Sequence, residues 1–217
     1  MPATNKTAIS WSSGKDSVWT LHSLNQIGTD VAGLLTTVTG EEPVTTSHRI
    51  PYPLVREQAA MVGLPLRTVS LPDPCPNETY EEQMARATNA MATNGITHLA
   101  YGDLHLEDIR AYRESVMSDW EVDPLFPLWG TNTHELASNM VDAGVEATIV
   151  CVDPNQLDPA FCGRRWTPSS LPVDIDPLGE NGEFHTFCHF GPGFDHEITA
   201  TVEDTYEDNG LVWARLV

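Results

Sequence analysis

Short apolar runs rich in β-branched residues alternate with amphipathic segments through the first two-thirds of the chain. Runs of this length bounded by Gly and Pro predict strands, and apolar positions three to four residues apart predict helices. The predicted strands cover residues 8–11, 31–38, 66–71, 97–101 and 147–152. The predicted helices cover residues 18–24, 53–62, 77–94, 109–119 and 133–143, with Asn77 as a helix cap. This alternation predicts an α/β fold in which a parallel sheet carries helices on both faces.

The pattern changes after about residue 154, where Gly, Pro and aromatic residues become frequent. Two alternating stretches, residues 197–202 and 211–216, predict antiparallel strands joined through Asp208-Asn209-Gly210. We therefore expect two domains, residues 1–122 and residues 123–217, the second being smaller and of α+β type.

The segment Ser12-Ser13-Gly14-Lys15-Asp16-Ser17 lies between the first predicted strand and the first predicted helix. A strand, a turn of small residues and a helix N-terminus together form a cradle for phosphate, because backbone N–H groups and the helix dipole face the same anion. It is not a Walker A motif, since Ile9 and Asp16 stand where that motif needs Gly and Ser or Thr. The alternative is an ordinary Gly-containing turn capped by Ser17 or Asp16.

Charge limits the classes of function. The chain of 217 residues has 31 acidic and 11 basic residues, for a net charge of −20, and only two of the basic residues are lysines. Because neutralising phosphates along a duplex requires Lys and Arg, this balance argues against a nucleic-acid-binding surface. The sequence has no apolar run long enough to cross a bilayer, its start lacks the apolar core of a signal peptide, and its four cysteines form no CxxC pair. We expect a cytoplasmic protein with reduced thiols.

A second informative segment is Gly179-Glu180-Asn181-Gly182-Glu183-Phe184-His185-Thr186-Phe187. Glu183 and His185, two residues apart in a strand, would project from the same face and could bind a polar substrate or transfer a proton. The alternative is a hairpin turn at Asn181-Gly182.

A third segment, Gly102 to Glu114, begins where the fourth predicted strand ends. In parallel sheets ligands bind beyond the carboxyl ends of the strands, so Gly102 and Asp103 should lie near the phosphate cradle. Asp103 could bind a ribose or Mg²⁺, while Arg110 and Arg113, one helical turn apart, could face an anion. The alternative is a capped helix with solvated charges. His48-Arg49, after the second strand, is weaker evidence of a nucleotide contact.

These three segments together resemble the diphthine–ammonia ligase family of N-type ATP pyrophosphatases, whose loop is usually written Ser-Gly-Gly-Lys-Asp-Ser. The similarity extends over nearly the whole length and is most specific at Gly179–Phe187. It implies a Rossmann-like adenine-nucleotide α-hydrolase (HUP) fold, with an ATP-binding domain followed by a substrate domain.

The resemblance also implies a mechanism that uses ATP and Mg²⁺. A substrate carboxylate attacks the α-phosphorus, pyrophosphate leaves, and ammonia converts the acyl-adenylate to an amide. Lys15, Asp16, Glu183 and His185 would be catalytic, with Asp16 also a metal ligand. The nucleotide would contact Ser12, Ser13, Gly14, Lys15, Asp16, Ser17, Gly102 and Asp103. The acceptor would contact Arg110, Glu180, Asn181, Gly182, Glu183 and His185.

Two departures from the family pattern affect these expectations. Ser13 replaces the first loop glycine, at a cost of about 1 kcal/mol or more if the position requires a positive φ. Leu178 stands where many relatives have cysteine. The expected partners are ATP, ammonia that is free or delivered by another protein, and a carboxylate acceptor that could itself be on a protein; a homodimer stays open. The alternative functions are a nucleotide-binding or slow α-hydrolase protein with another acceptor and, less favoured, tRNA thiolation.

Overall fold

The computed structural model describes residues 6–217, which form two β-sheets with five α-helices. The first sheet contains β1 (Lys6–Ser10), β2 (Asp30–Thr39), β3 (Val44–Thr45), β4 (Leu66–Ser70), β5 (His98–Ala100) and β6 (Asp123–Leu125). The second sheet contains β7 (Glu146–Val152), β8 (Phe184–Phe190), β9 (Val202–Asp208) and β10 (Leu211–Leu216). The helices are α1 (Lys15–Gln26), α2 (Tyr52–Met61), α3 (Asn77–Ala92), α4 (Glu107–Met117) and α5 (Thr133–Asp142).

The first sheet has the strand order β3-β2-β1-β5-β6, and β4 also pairs with β2. All of its pairings are parallel except that between β2 and the two-residue β3. The second sheet has the order β8-β7-β10-β9 and is antiparallel throughout. The α/β architecture predicted from the alternating pattern is therefore confirmed, with a second antiparallel sheet after it.

Alternation along the central strands explains why helices cover both faces of the first sheet. Ala8 and Leu35 belong to one apolar cluster, which α3 completes, while Ile9 and Leu34 belong to another. Neighbouring residues of a strand point to opposite faces, so two fully buried positions in succession require two covered faces. The second cluster also contains residues of α1, α2, α5 and the antiparallel sheet, so the two sheets share one core.

The structure corrects two local predictions. The strand before the final hairpin covers Val202–Asp208 and not residues 197–202, although the turn at Asn209-Gly210 lies where the sequence placed it. Both turn residues have positive φ, 51° and 80°, as the favoured two-residue hairpin turn requires. Asn77 does not cap α3; Pro76 holds the cap position, and the Asn77 amide donates to Glu81 one turn later.

The first sheet extends past residue 122, and the division between the two sheets lies between β6 and β7. The strand β6 begins at residue 123 and pairs with β5 in the first sheet, whereas the second sheet begins with β7 at residue 146. Helix α5 lies between these strands in the chain and packs into the shared core. Across residues 6–217, the helices are all too short or too polar to span a membrane.

Candidate active site

A cleft of about 390 Å³ lies at the carboxyl ends of β1 and β5, where the first sheet meets the second. It contains residues from all three segments that the sequence singled out. The lining residues predicted from sequence are Ser12, Lys15, Asp16, Ser17, Gly102, Asp103, Glu180, Gly182 and His185. Lys15 follows β1 of the first sheet and His185 lies in β8 of the second, so the loop Ser12–Ser17 and the second segment border the same cleft.

The backbone of Ser13 explains how the loop is held. Ser13 adopts a φ of 71°, a conformation that favours glycine, and is fully buried. Its carbonyl accepts two hydrogen bonds, from the Cys188 N–H at 2.9 Å and from the Gln58 Nε2 at 3.1 Å. Gln58 also donates to the Cys188 carbonyl and accepts from the Trp11 indole. These bonds fasten the loop to β8 and α2, and the strain expected for serine at this position is present.

Glycine is required at position 14 because the loop backbone lies in close contact with His48 and Thr186 there. A Cβ atom at this position would lie 2.7 Å from Cε1 of His48 and 3.1 Å from the Thr186 carbonyl oxygen. The next backbone N–H, that of Lys15, donates to the Thr186 hydroxyl at 3.3 Å. Ser17 closes the turn by donating its hydroxyl to the Gly14 carbonyl at 2.8 Å. The N-terminus of α1 is therefore packed directly against the start of β8.

The Lys15 side chain is directed toward the C-terminal part of the chain. Its ammonium group donates to the Leu178 carbonyl at 2.6 Å and pairs with Asp16 at 3.0 Å. The same nitrogen lies 5.7 Å from the centre of the Trp166 ring and 5.4 Å from that of Phe184. With 1% of its side chain exposed, Lys15 connects the loop to the second segment rather than extending into solvent.

Asp16 and Glu180 are two carboxyl groups that line the same cleft. Asp16 uses Oδ2 for Lys15, while its Oδ1 is buried without a hydrogen-bond partner. Burial, followed by repulsion from Asp16, raises the pKa of Glu180 to about 8, although nearby Lys15 opposes the shift. Two carboxyl groups that share one ammonium group, one of them with an unsatisfied buried oxygen, are suited to accept a further cation.

The structure separates the two arginines of the third segment. Arg113 lines the cleft, where it makes two hydrogen bonds to Asp103 at 2.6 and 3.3 Å and lies over the Tyr101 ring. Arg110 instead pairs with Glu114 and contacts the Phe126 ring, away from the cleft lining. The Asp103 carboxylate is thus neutralised by Arg113, and Arg110 is not brought together with the other predicted site residues.

Glu183 is held by its own loop. One oxygen accepts from the Asp176 N–H at 3.0 Å and the Asn181 side-chain amide at 3.0 Å, and the other accepts from the Asn181 N–H at 2.9 Å. The residue is 3% exposed and is absent from the cleft lining, as is Asn181. The expected face shared by Glu183 and His185 is therefore not formed, and Glu183 instead fixes the shape of residues 176–183.

His185 stacks on His48, with ring centres 4.7 Å apart and planes 17° from parallel. Burial, followed by the charge of Lys15, lowers the pKa of His185 to about 4. Burial and His185 also hold the pKa of His48 well below its usual value. His48 Nδ1 lies 2.8 Å from the Thr186 carbonyl, which can only accept, so this nitrogen carries the proton in the neutral ring. The pair is neutral at pH 7.

Some cleft residues were missed or undervalued by sequence reasoning. His48 and Thr186 contact the loop directly, Arg113 holds Asp103, and Tyr80 and Tyr101 complete the wall beside it. The sequence offers His48 only as weaker evidence of a nucleotide contact and Arg113 as a candidate to face an anion beside Arg110, and no local pattern distinguishes a cleft tyrosine from a core tyrosine. These contacts depend on segments that are far apart in the chain.

A second, larger cleft of about 1340 Å³ adjoins the first, since Thr46 lines both. It lies between the ends of β2 and β4 on one side and the β9–β10 hairpin on the other. Arg49 crosses this region, pairing with Asp208 and lying 4.3 Å from the centre of the Trp213 ring. A bulky ligand in the larger cleft could therefore reach the smaller one.

The cleft residues could hold a divalent cation only if a bound ligand supplied further donor atoms. Among residues 6–217, no group of three or more His, Cys, Asp or Glu side chains is arranged to hold a metal ion. Mg²⁺, however, is commonly bound by one or two carboxylates together with substrate phosphates. Asp16, with its unpartnered oxygen, and Glu180 provide that donor set beside the phosphate cradle.

The fold and the cleft define a class of protein before any relative is considered: a Rossmann-like α/β protein with a phosphate cradle after its first strand. A family model for the diphthamide synthase N-terminal domain matches residues 5–123, more than half of the chain. The protein belongs to this family, and membership supports an enzyme of the ATP pyrophosphatase type that uses ATP.

No curated protein matches the sequence. One similar solved structure is described as a predicted subunit of tRNA methyltransferase from Methanocaldococcus jannaschii. The two sequences are 18% identical, the aligned region covers 67% of this chain and 78% of that chain, and the TM-score is 0.42. A likeness this remote carries no argument about function.

Proposed function

We propose that this protein is an AMP-forming, ATP-dependent ligase that adenylates a substrate carboxylate and amidates it with ammonia. The observation that carries the proposal is the shared cleft: residues of the loop Ser12–Ser17 and of the segment Gly179–Phe187 line one cavity. The hydrogen bond from Lys15 to the carbonyl of Leu178, which precedes that segment, connects the two. An adenylating ligase must bring a nucleotide and an acceptor to one phosphorus atom, and two walls of different chemistry meet that need.

In this proposal the N-terminal wall binds ATP. The amides at the start of α1 hold the β- and γ-phosphates, which the helix dipole also favours. Lys15 turns from Leu178 to the phosphates and stabilises the charge that develops on pyrophosphate. Asp16, with Glu180, would hold Mg²⁺, which neutralises phosphate charge when bound. Gly102 and the Asp103–Arg113 pair border the nucleoside side of the cleft.

The C-terminal wall orients the acceptor. Glu180, Gly182 and His185 face the cleft, and the larger cavity beyond Thr46 gives a bulky acceptor a route to the α-phosphorus. Asn181 and Glu183 act indirectly, because they fix the loop that carries Glu180. We accordingly propose an ATP-binding unit in residues 1–122 and an acceptor-binding unit in residues 123–217, with β6 as the strand that ties the second unit to the first sheet.

Product analysis tests the reaction class. The protein is incubated with ATP labelled at the α-phosphorus, Mg²⁺, ammonium and a panel of carboxylates, and nucleotide products are separated. We expect AMP and pyrophosphate, with exchange of labelled pyrophosphate into ATP when a carboxylate is present. Formation of ADP and phosphate would rule the proposal out. Gly14→Ala, which places a methyl group against His48, is a control in which turnover should be reduced.

A second candidate is a nucleotide-binding protein that hydrolyses ATP slowly without an acceptor. The observation in its favour is the buried position of Lys15, whose ammonium group is engaged by Leu178. Calorimetry would support this candidate if ATP bound tightly while no carboxylate caused turnover. Acceptor-dependent pyrophosphate release would exclude it.

A further inference from the structure

The surroundings of the Lys15 ammonium group form a defined pocket. Its walls are the faces of Trp166 and Phe184, with ring centres 5.7 and 5.4 Å from the nitrogen, and its base is the Leu178 carbonyl at 2.6 Å. Asp16 lies at its mouth, 3.0 Å from the nitrogen and 22% exposed. We call these four residues the ammonium pocket.

The pocket is rigid for reasons independent of Lys15. Trp166 is 4% exposed, and its indole N–H donates to the Pro177 carbonyl at 2.8 Å. Phe184 is 1% exposed and begins β8. Residues 176–183, which carry the Leu178 carbonyl, are fixed by the three hydrogen bonds to Glu183. Aromatic faces around a single carbonyl acceptor are a chemistry that recognises ammonium groups.

The proposed reaction requires the Lys15 ammonium group at the phosphates of ATP, outside the ammonium pocket. It is the first residue of α1, directly beside the amides that would hold phosphate. A charge-assisted bond to a phosphate oxygen is stronger than one to a neutral carbonyl, and a four-carbon side chain can rotate between the two. Bound ATP would therefore draw the ammonium group out of the pocket.

We propose that the ammonium pocket is the binding site for the amine donor, an ammonium ion, and that Lys15 fills it until ATP binds. This inference rests on the proposed ligase function, because it concerns that reaction's second substrate. It predicts ordered binding. Ammonium cannot compete with a tethered lysine in the free protein, but it binds once the nucleotide has moved Lys15 to the phosphates.

The first experiment asks whether the pocket binds ammonium once the lysine side chain is removed. In Lys15→Ala, ammonium chloride at about ten times its Kd should raise Tm by about 3 °C relative to sodium chloride at the same ionic strength. Adding Trp166→Leu should abolish the difference, while Trp166→Phe, which loses the same indole hydrogen bond but keeps an aromatic face, should retain most of it. Equal responses to ammonium and sodium would overturn the proposal, as would a Trp166→Leu protein that still responds.

The second experiment uses the unaltered protein and decides the matter if Lys15→Ala does not fold. Ammonium chloride is titrated by calorimetry with and without α,β-methylene-ATP and Mg²⁺. We expect the affinity for ammonium to be at least tenfold weaker without the nucleotide than with it. Equal affinity in both states, or no binding in either, would refute the pocket. Failure of the nucleotide itself to bind would count against the ligase function, and the Lys15→Ala experiment would then test the pocket alone.

Discussion

The carboxyl groups in and behind the cleft are in opposite conditions. Behind the C-terminal wall, Glu183 has both oxygens occupied by backbone and side-chain donors of its own loop. Within the cleft, Asp16 has a buried oxygen without a partner, and its charge repels that of Glu180. Satisfied buried carboxylates stabilise a fold, whereas unsatisfied ones cost free energy unless a ligand completes them. The difference assigns structure to Glu183 and binding to Asp16 and Glu180.

The largest expected effect concerns Glu183. Glu183→Ala removes a buried carboxylate that accepts from three donors in a loop where only Asn181 and Gly182 are exposed, so we expect a loss of about 3 kcal/mol in the free energy of unfolding, measured with urea. Glu180→Gln is the matched control, because an amide resembles the protonated acid. It should change stability by less than about 1 kcal/mol while weakening Mg²⁺-dependent ATP binding. The reverse ranking of the two variants would contradict our assignment.

A second effect, on ligand affinity and not on stability, concerns the contact between the walls. Gly14→Ala introduces a methyl group 2.7 Å from His48 Cε1, and we expect ATP affinity measured by calorimetry to fall at least about tenfold. The double variant Gly14→Ala with His48→Ala should recover part of that loss, since only the approach to the Thr186 carbonyl remains. Absence of recovery would mean that the loop is not positioned by His48.

A pH effect follows from the stacked imidazoles. The pKa of His185 is about 4 in the folded protein and about 6.5 when unfolded, so the unfolded state binds more protons between these values. As far as His185 determines it, the free energy of unfolding is highest above pH 6.5. It falls as the pH drops toward 4, by on the order of 3 kcal/mol. In His185→Asn, the free energy of unfolding, measured with urea at a series of pH values, should fall less steeply between about pH 6.5 and pH 4. An unchanged slope would show that the imidazole is not buried as described.

The smallest effect concerns Ser13. Ser13→Gly relieves a φ of 71° and should stabilise the protein by about 0.5–1 kcal/mol while ATP affinity stays equal or rises. Asn209→Gly is the control, because Asn209 also has positive φ, at 51°, but lies in the distant hairpin turn. A marked loss of ATP affinity in Ser13→Gly would mean that the serine side chain itself takes part in binding.

Much of the fold could be predicted because its signals are local. Alternating strands and helices indicated the parallel sheet, and positions of Gly and Pro placed most element ends within two or three residues. The strand before the last hairpin was misplaced because residues 197–202 alternate as clearly as residues 202–208. Pairing with β10 decides between them, and Thr201 instead exchanges backbone hydrogen bonds with Val217.

The site could be predicted only where a single segment carries it. The loop Ser12–Ser17 is contiguous, so its chemistry is visible in six residues. The distribution of charged side chains around the cleft is not visible in any one segment. Arg110 and Arg113 are one turn apart on α4, and Arg113 rather than Arg110 reaches the cleft. Likewise, the spacing of Glu183 and His185 suggested a shared face, but Glu183 precedes β8 and its carboxylate folds back into the loop.

The most direct test is a crystal structure with α,β-methylene-ATP and Mg²⁺ bound. We expect the β- and γ-phosphates at the backbone amides of Ser12–Ser17, Lys15 on a phosphate oxygen, Mg²⁺ on Asp16, and the α-phosphorus facing Glu180 and His185. A nucleotide bound in the larger cleft, or with its phosphates at the Arg113 end and Lys15 still on the Leu178 carbonyl, would contradict the account.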